Sequence, residues 1–286
     1  MIEKKEFTLT SLHNERPFLL DLRYEPTGKP KPVVLFIHGF KGFKDWGPFN
    51  LIADLFAKAG FVYAKLNLSH NGTTLEKPLD FADLEAFGQN NYLIELDDIK
   101  IALDFLDGLD LQQEAQLGQY SLVGHSRGGG LVILKAREDE RVSKVVTWAG
   151  KGDYSIGESD ARLKQWQQEG VAHIWNGRTG QQMPIYYQFY KALLANSERL
   201  SIEKAASELQ APLLLIHGTG DETVPLKEAE TLKQAQPKAE LMAIEEALHT
   251  FGGAHPFEGE SLPDDLQKAV DATIEFFKKP AYTHHR

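Results

Sequence analysis

Cysteine is absent from all 286 residues, which removes disulfides, thiolate metal sites and a cysteine nucleophile together. Long apolar runs are missing too, since none approaches the ~20 residues that span a bilayer. The opening residues MIEKKEFTLT include Glu3 and Glu6 and hold no apolar stretch of signal-peptide length. A cytoplasmic protein that does not enter a membrane is the expectation. Blocks of basic charge are equally lacking. Lys and Arg total 31 against 41 Asp and Glu, a formal net charge of -10, and the basic residues are scattered. An acidic surface repels phosphate backbones, so nucleic acid is not an expected partner. There is no internal repeat and no low-complexity segment.

What remains is an ordinary globular balance, 42% hydrophobic and 25% charged. A chain of this length buries a substantial core without needing a metal or a cross-link to fold. Glu6 to Leu9 and Phe18 to Leu22 flank a polar turn and read as a hairpin. Short apolar runs then alternate with helical patterns. Val33 to Ile37, Phe61 to Leu66, Tyr120 to Val123, Val142 to Trp148, Pro212 to Ile216 and Leu241 to Ile244 read as strands. Leu93, Leu96, Ile99, Leu103 and Leu106 recur at helical spacing, and further helices are expected near 131–136, 226–236 and 266–277. Such alternation predicts an α/β fold, a parallel sheet wrapped on both faces. The stretch 150–210 breaks the rhythm. It reads as a small helical insert within one domain spanning 1–286, either a lid or extra helices on the sheet.

The segment Gly124-His125-Ser126-Arg127-Gly128 fits G-x-S-x-G, between a strand and a helix with small residues in its first turn. Glycines there permit a sharp strand-to-helix turn that presents Ser126. The alternative for Ser126 is a helix N-cap, but a cap does not require glycine on both sides. A serine hydroxyl is a weak nucleophile and needs a base, and the base needs an orienting carboxylate. Asp221 follows the strand Leu213 to Ile216 in a Gly-rich loop, and His249 follows Leu241 to Ile244. Asp221 also reads as a turn residue or cap, with Glu222 as a rival carboxylate. His255 is the alternative base. His249 is preferred because it stands nearer its strand end, whereas His255 precedes Pro256 and is biased to extended backbone. Two backbone N–H groups, of Phe40 and Arg127, are candidates for the oxyanion hole. His38-Gly39-Phe40 follows the Val33 strand, where Gly39 allows close approach to substrate. His38 itself reads as structural. Trp148 and Trp175, with Lys151 and Asp153, are candidate pocket residues.

His38-Gly39-Phe40, Gly124 to Gly128, Asp221 and His249, in that order, resemble the α/β-hydrolase superfamily. Within it the chain resembles the branch of dienelactone-hydrolase-like proteins, cinnamoyl and feruloyl esterases and serine-aminopeptidase-type hydrolases. Asn67 to Gly72 resembles that branch's loop after the second core strand. The resemblance implies an α/β-hydrolase fold, with a mostly parallel eight-stranded sheet flanked by helices and an insert after the sixth strand. It also implies hydrolysis of a small or medium carboxylic ester through an acyl-enzyme, with neither cofactor nor metal. Two features depart from the branch: Arg127 stands where Gln or Met is frequent, and serine replaces the cysteine of dienelactone hydrolase itself. A peptidase or amidase with the same triad is the alternative, followed by a non-catalytic binding protein on a hydrolase scaffold. A small-molecule ester is the expected partner, and the sequence leaves a homo-oligomer open.

Overall fold

The structure is a computed structural model that describes residues 1–111, 113–157 and 159–280. Strands β1 (Glu3–Thr10) and β2 (Pro17–Tyr24) form the expected hairpin, Phe7 standing opposite Leu20. The chain continues through β3 (Lys31–Ile37), α1 (Phe49–Lys58), β4 (Val62–Leu66), α2 (Leu84–Gln89) and α3 (Tyr92–Asp107). Next come β5 (Ala115–His125), α4 (Arg127–Glu138) and β6 (Val142–Trp148). The insert holds α5 (Asp160–Glu169), β7 (Val171–Asn176), β8 (Gln181–Tyr186), α6 (Gln188–Ala195) and α7 (Ile202–Glu208). The last elements are β9 (Leu213–Gly218), α8 (Leu226–Ala235), β10 (Glu240–Ile244) and α9 (Asp264–Lys278).

Eight strands build one sheet in the order β1-β2-β4-β3-β5-β6-β9-β10. The pairs from β4 through β10 are parallel, and β2 joins β4 antiparallel. Side chains alternate across a strand, so an interior strand must be apolar on both faces. β3 meets this requirement directly. Val33, Leu35 and Ile37 enter a core covered by α3, α4, α7 and α8, while Val34 and Phe36 enter one covered by α1 and α9. Asn91 starts α3 by accepting hydrogen bonds from the N–H groups of Leu93 and Ile94, at 3.0 and 3.1 Å.

The insert is not all helix. Its middle is the antiparallel pair β7–β8, which pairs Val171 with Tyr186 and Asn176 with Gln181. Ile185, inside the stretch expected to be helical, lies in the second strand, and α6 begins only at Gln188. The physical reason is the run Val171-Ala172-His173-Ile174-Trp175, whose β-branched and aromatic residues favour strand, followed by the turn at Gly177 to Gly180. Trp166 of α5 and Phe189 and Leu193 of α6 join the same core as α3 and α4.

A charged cluster lies inside the fold where β2 and β4 pair Asp21 with Lys65. Lys65 has no exposed side-chain area; its Nζ donates to Asp21 at 2.9 Å and also to Asp45. Lys44 adds contacts to Asp45 at 2.6 Å and to Glu6 at 3.0 Å, while its N–H donates to Asn67 at 2.7 Å. These bonds moor the loop between β3 and α1 to the sheet. Removing one partner of a buried ion cluster strands the rest, so Lys65→Met is expected to destabilise the fold by about 3 kcal/mol. Urea unfolding measures this directly, and an unchanged midpoint would contradict the assignment of Lys65 as the cluster's buried cation.

Candidate active site

The turn from β5 into α4 is where the backbone is most constrained. Ser126 has φ 55° and ψ -119°, a conformation a non-glycine residue adopts only when its surroundings enforce it. The enforcing contact is the crossing of strand and helix. A Cβ on Gly124 would stand 2.1 Å from the Gly128 carbonyl oxygen, so any side chain there would push the helix off the strand. Ser126 occupies the N-cap position of α4 but makes no capping bond with its side chain. Its hydroxyl turns instead toward His249.

His249 Nε2 lies 3.0 Å from Ser126 Oγ, and His249 Nδ1 lies 2.8 Å from Asp221 Oδ2. The Asp221 carboxylate can only accept, so the proton sits on Nδ1 and Nε2 is left to accept the Ser126 hydroxyl. Asp221 Oδ1 accepts from the N–H groups of Thr223 and Val224, both at 2.9 Å. Burial by itself would raise this carboxyl's pKa. Hydrogen bonds from His217, His249 and the Val224 N–H outweigh burial and hold it well below the usual range. His125 holds His249 from the other side. Its Nε2–H donates to the His249 carbonyl at 3.0 Å, and the two rings stand 4.9 Å apart.

The Phe40 N–H shares a peptide plane with the Gly39 carbonyl, which accepts from Gly42 N–H at 3.1 Å and His38 Nδ1–H at 2.8 Å. The Arg127 N–H shares one with the Ser126 carbonyl, held by the N–H groups of Gly129 and Lys151, both at 2.9 Å. In a trans peptide the N–H points opposite to the carbonyl, so each pair of bonds aims its N–H. Among the described residues neither N–H donates to another protein group. Gly39 packs so closely that a Cβ there would sit 2.9 Å from the Ser126 Cβ. His38 is buried, and its Nε2 accepts the Leu68 N–H at 3.1 Å. It therefore acts through the Gly39 peptide.

The other expected residues fall elsewhere. His255 Nδ1 accepts the Gly47 N–H at 2.9 Å, with its ring beside Phe43 and Trp46, so its role in the structure is to hold a loop. A cavity of about 420 Å³ opens between the insert and the elbow, lined by Phe40, Tyr92, Arg127, Trp166, Ile185 and Phe189 among others. Neither tryptophan expected in a pocket lines it. Trp148 is 1% exposed on the face toward α9, where its indole N–H donates to Thr273 Oγ1 at 2.9 Å. Trp175 is 56% exposed on the hairpin. Lys151 pairs with Glu228 at 2.8 Å, and Asp153 binds Ser155. Tyr92, Trp166 and Phe189 escaped attention as pocket residues because their helical spacing also suits a core. Glu95 escaped too, although an acid on the stripe Glu95-Ile99-Ala102-Leu106 signals a buried partner.

With this geometry in hand, comparison with known proteins decides the family. The family model described as "Dienelactone hydrolase family" matches residues 21–280. The chain is a member of the dienelactone hydrolase family. Membership makes it a hydrolase, of a family acting on small molecules. Among solved structures, the esterase domain of a Rhodothermus marinus protein superposes with a TM-score of 0.64 at 20% identity, covering 96% of this chain and 97% of that one. Est1E from Butyrivibrio proteoclasticus, solved with ferulic acid bound, gives a TM-score of 0.65 at 16% identity, covering 96% and 94%. A monoacylglycerol lipase of Paleococcus ferrophilus gives 0.63 at 17% identity, covering 96% and 98%. At such identities these likenesses establish the α/β-hydrolase fold. A search of curated protein sequences returns no match. Among the described residues, no helix is long and apolar enough to cross a membrane.

The buried histidines give the site a pH signature. Burial lowers His38 to about 4 and His125 to about 3, from an ordinary 6.5. Both are neutral when folded, while the unfolded chain takes up their protons below about pH 6.5. The unfolded state thus binds more protons in this window, and folded stability drops as pH falls from about 6.5 toward 4. The loss is up to about 1.4 kcal/mol per pH unit for each histidine. Thermal melts from about pH 7 to about pH 4.5 should show a steadily falling midpoint, and a flat midpoint would refute the neutral assignment.

Proposed function

We propose that the protein is a serine carboxylesterase that forms an acyl-enzyme on Ser126. The observation that carries this reading is the line Asp221–His249–Ser126, with contacts of 2.8 and 3.0 Å, ending on a serine whose backbone is held at φ 55°. In the mechanism, Ser126 Oγ attacks the ester carbonyl carbon and His249 Nε2 takes the hydroxyl proton. Asp221 stabilises the imidazolium that results. The N–H groups of Phe40 and Arg127 hold the oxyanion of the tetrahedral intermediate. Its collapse breaks the bond to the alkoxy oxygen, which leaves as the alcohol after receiving the proton from His249. Water then attacks the acyl carbonyl with His249 as base, releasing the acid and restoring Ser126.

The acyl group occupies the cavity beside these donors, since Phe40 and Arg127 contribute to its wall as well as to the oxyanion site. Its aromatic lining favours a flat, ring-bearing acyl group of modest size. Est1E, a fold relative with ferulic acid bound, is in keeping with this preference.

A fluorophosphonate probe should label wild-type protein stoichiometrically and Ser126→Ala not at all; equal labelling of both, or of neither, would overturn the proposal. Replacing the base is expected to be far more damaging than replacing the loop histidine. His249→Ala should lower kcat/KM on an aryl ester by about 10³-fold or more, while His255→Ala should stay within about tenfold of wild type. The reverse ranking would transfer the role of base to His255.

A further inference from the structure

The two oxyanion donors belong to separate loops, Phe40 after β3 and Arg127 after β5. Hydrogen bonds within each neighbourhood aim the individual peptides, as described above, but their spacing is a different matter. Between them the side chains meet. The Arg127 guanidinium carbon lies 4.0 Å from the centre of the Phe40 ring, and Tyr92 and Phe189 flank the same group at 5.0 and 5.5 Å. Phe40 is supported from behind by Phe87, with ring centres 5.4 Å apart.

The guanidinium is held in turn by Glu95 of α3. Glu95 Oε1 lies 3.2 Å from an Arg127 terminal nitrogen and accepts from Asn90 Nδ2 at 2.8 Å. Glu95 is 3% exposed, and its Oε2 is buried without a hydrogen-bond partner. A buried ion pair with an unsatisfied oxygen is a poor way to gain stability, because desolvating both charges offsets their attraction. Its geometric effect is to hold the guanidinium in place beside the Phe40 ring.

We propose that Phe40 and Arg127 clasp each other through their side chains, setting the distance between the two oxyanion N–H groups, and that Glu95 is a positioning residue acting through Arg127. The clasp rests on the esterase reading, since it matters only if those N–H groups bind an oxyanion. It differs from a role in acyl recognition because its effect falls on the transition state, where the oxyanion forms, and not on substrate binding.

Three variants test it on an aryl ester: Phe40→Leu removes the ring face, Phe40→Tyr keeps it, and the double change Glu95→Gln with Arg127→Met removes both charges together, leaving neither stranded. Phe40→Leu and the double change should each lower kcat about tenfold, over and above any change in KM from the altered cavity wall, because a displaced donor retains part of a contribution worth 10²–10³-fold. Affinity for a boronic acid that forms a tetrahedral adduct on serine should fall in the same ratio. Phe40→Tyr, which keeps the ring face over the guanidinium, should lose less of kcat than Phe40→Leu. Combining Phe40→Leu with the double change should bring no further loss, since either change alone already opens the clasp. Losses confined to KM, losses that multiply in the combined variant, or unchanged rates in variants whose serine still takes the fluorophosphonate label in a parallel sample would each overturn the clasp alone. A wild-type protein that neither takes the fluorophosphonate label nor cleaves esters would overturn the esterase reading, and the clasp with it.

Discussion

The organisation of this molecule depends on how closely α4 crosses the end of β5. With the Gly124 Cβ position only 2.1 Å from the Gly128 carbonyl oxygen, the crossing has room for backbone alone. That proximity forces the chain through left-handed backbone at Ser126, and strain of that kind costs roughly 1–3 kcal/mol per residue. The surrounding sheet is able to bear it. The Ser126 N–H donates to Trp148 at 2.9 Å and its carbonyl accepts from Lys151, so β6 and the segment after it brace the turn. Once the turn is fixed, the serine hydroxyl has one direction in which to point.

Much of the architecture was legible in the sequence because parallel α/β proteins write their rhythm plainly. Buried strands such as Val33 to Ile37 are apolar on both faces, and here such runs recur between helical patterns with turn residues at their ends. The order of Ser126, Asp221 and His249 along the chain was legible for the same reason, since each follows a recognisable strand. The structure brings them into one hydrogen-bonded line. His249 and His255 share a single loop, so spacing alone could rank them but not separate them; the Gly47 N–H on His255 is a contact made across 208 positions.

The failures also have physical causes. Trp148 stands at a strand end near Ser126, but alternation leaves open which face of the sheet carries a cavity, and its indole goes to the α9 side. The β7–β8 hairpin was hidden because a short apolar run reads equally well as one turn of helix. Glu95 and Arg127 are 32 positions apart on different elements, so neither residue discloses the other before the chain is folded.

The hairpin also touches the rest of the site at its tip. Arg178, in its turn, lies over the rings of Phe43 and Phe81, 5.5 and 5.4 Å from their centres, and Gln181 donates to the Phe81 carbonyl at 3.0 Å. Phe43 belongs to the same loop as Phe40. The roof of the cavity is thus fastened to the loop that carries Phe40. Under the proposed mechanism, a guest too large for the cavity lifts the roof and, with it, disturbs the donor its own reaction needs. On that mechanism, selectivity for size would act as a brake on turnover: a bulky ester would be held but cleaved slowly.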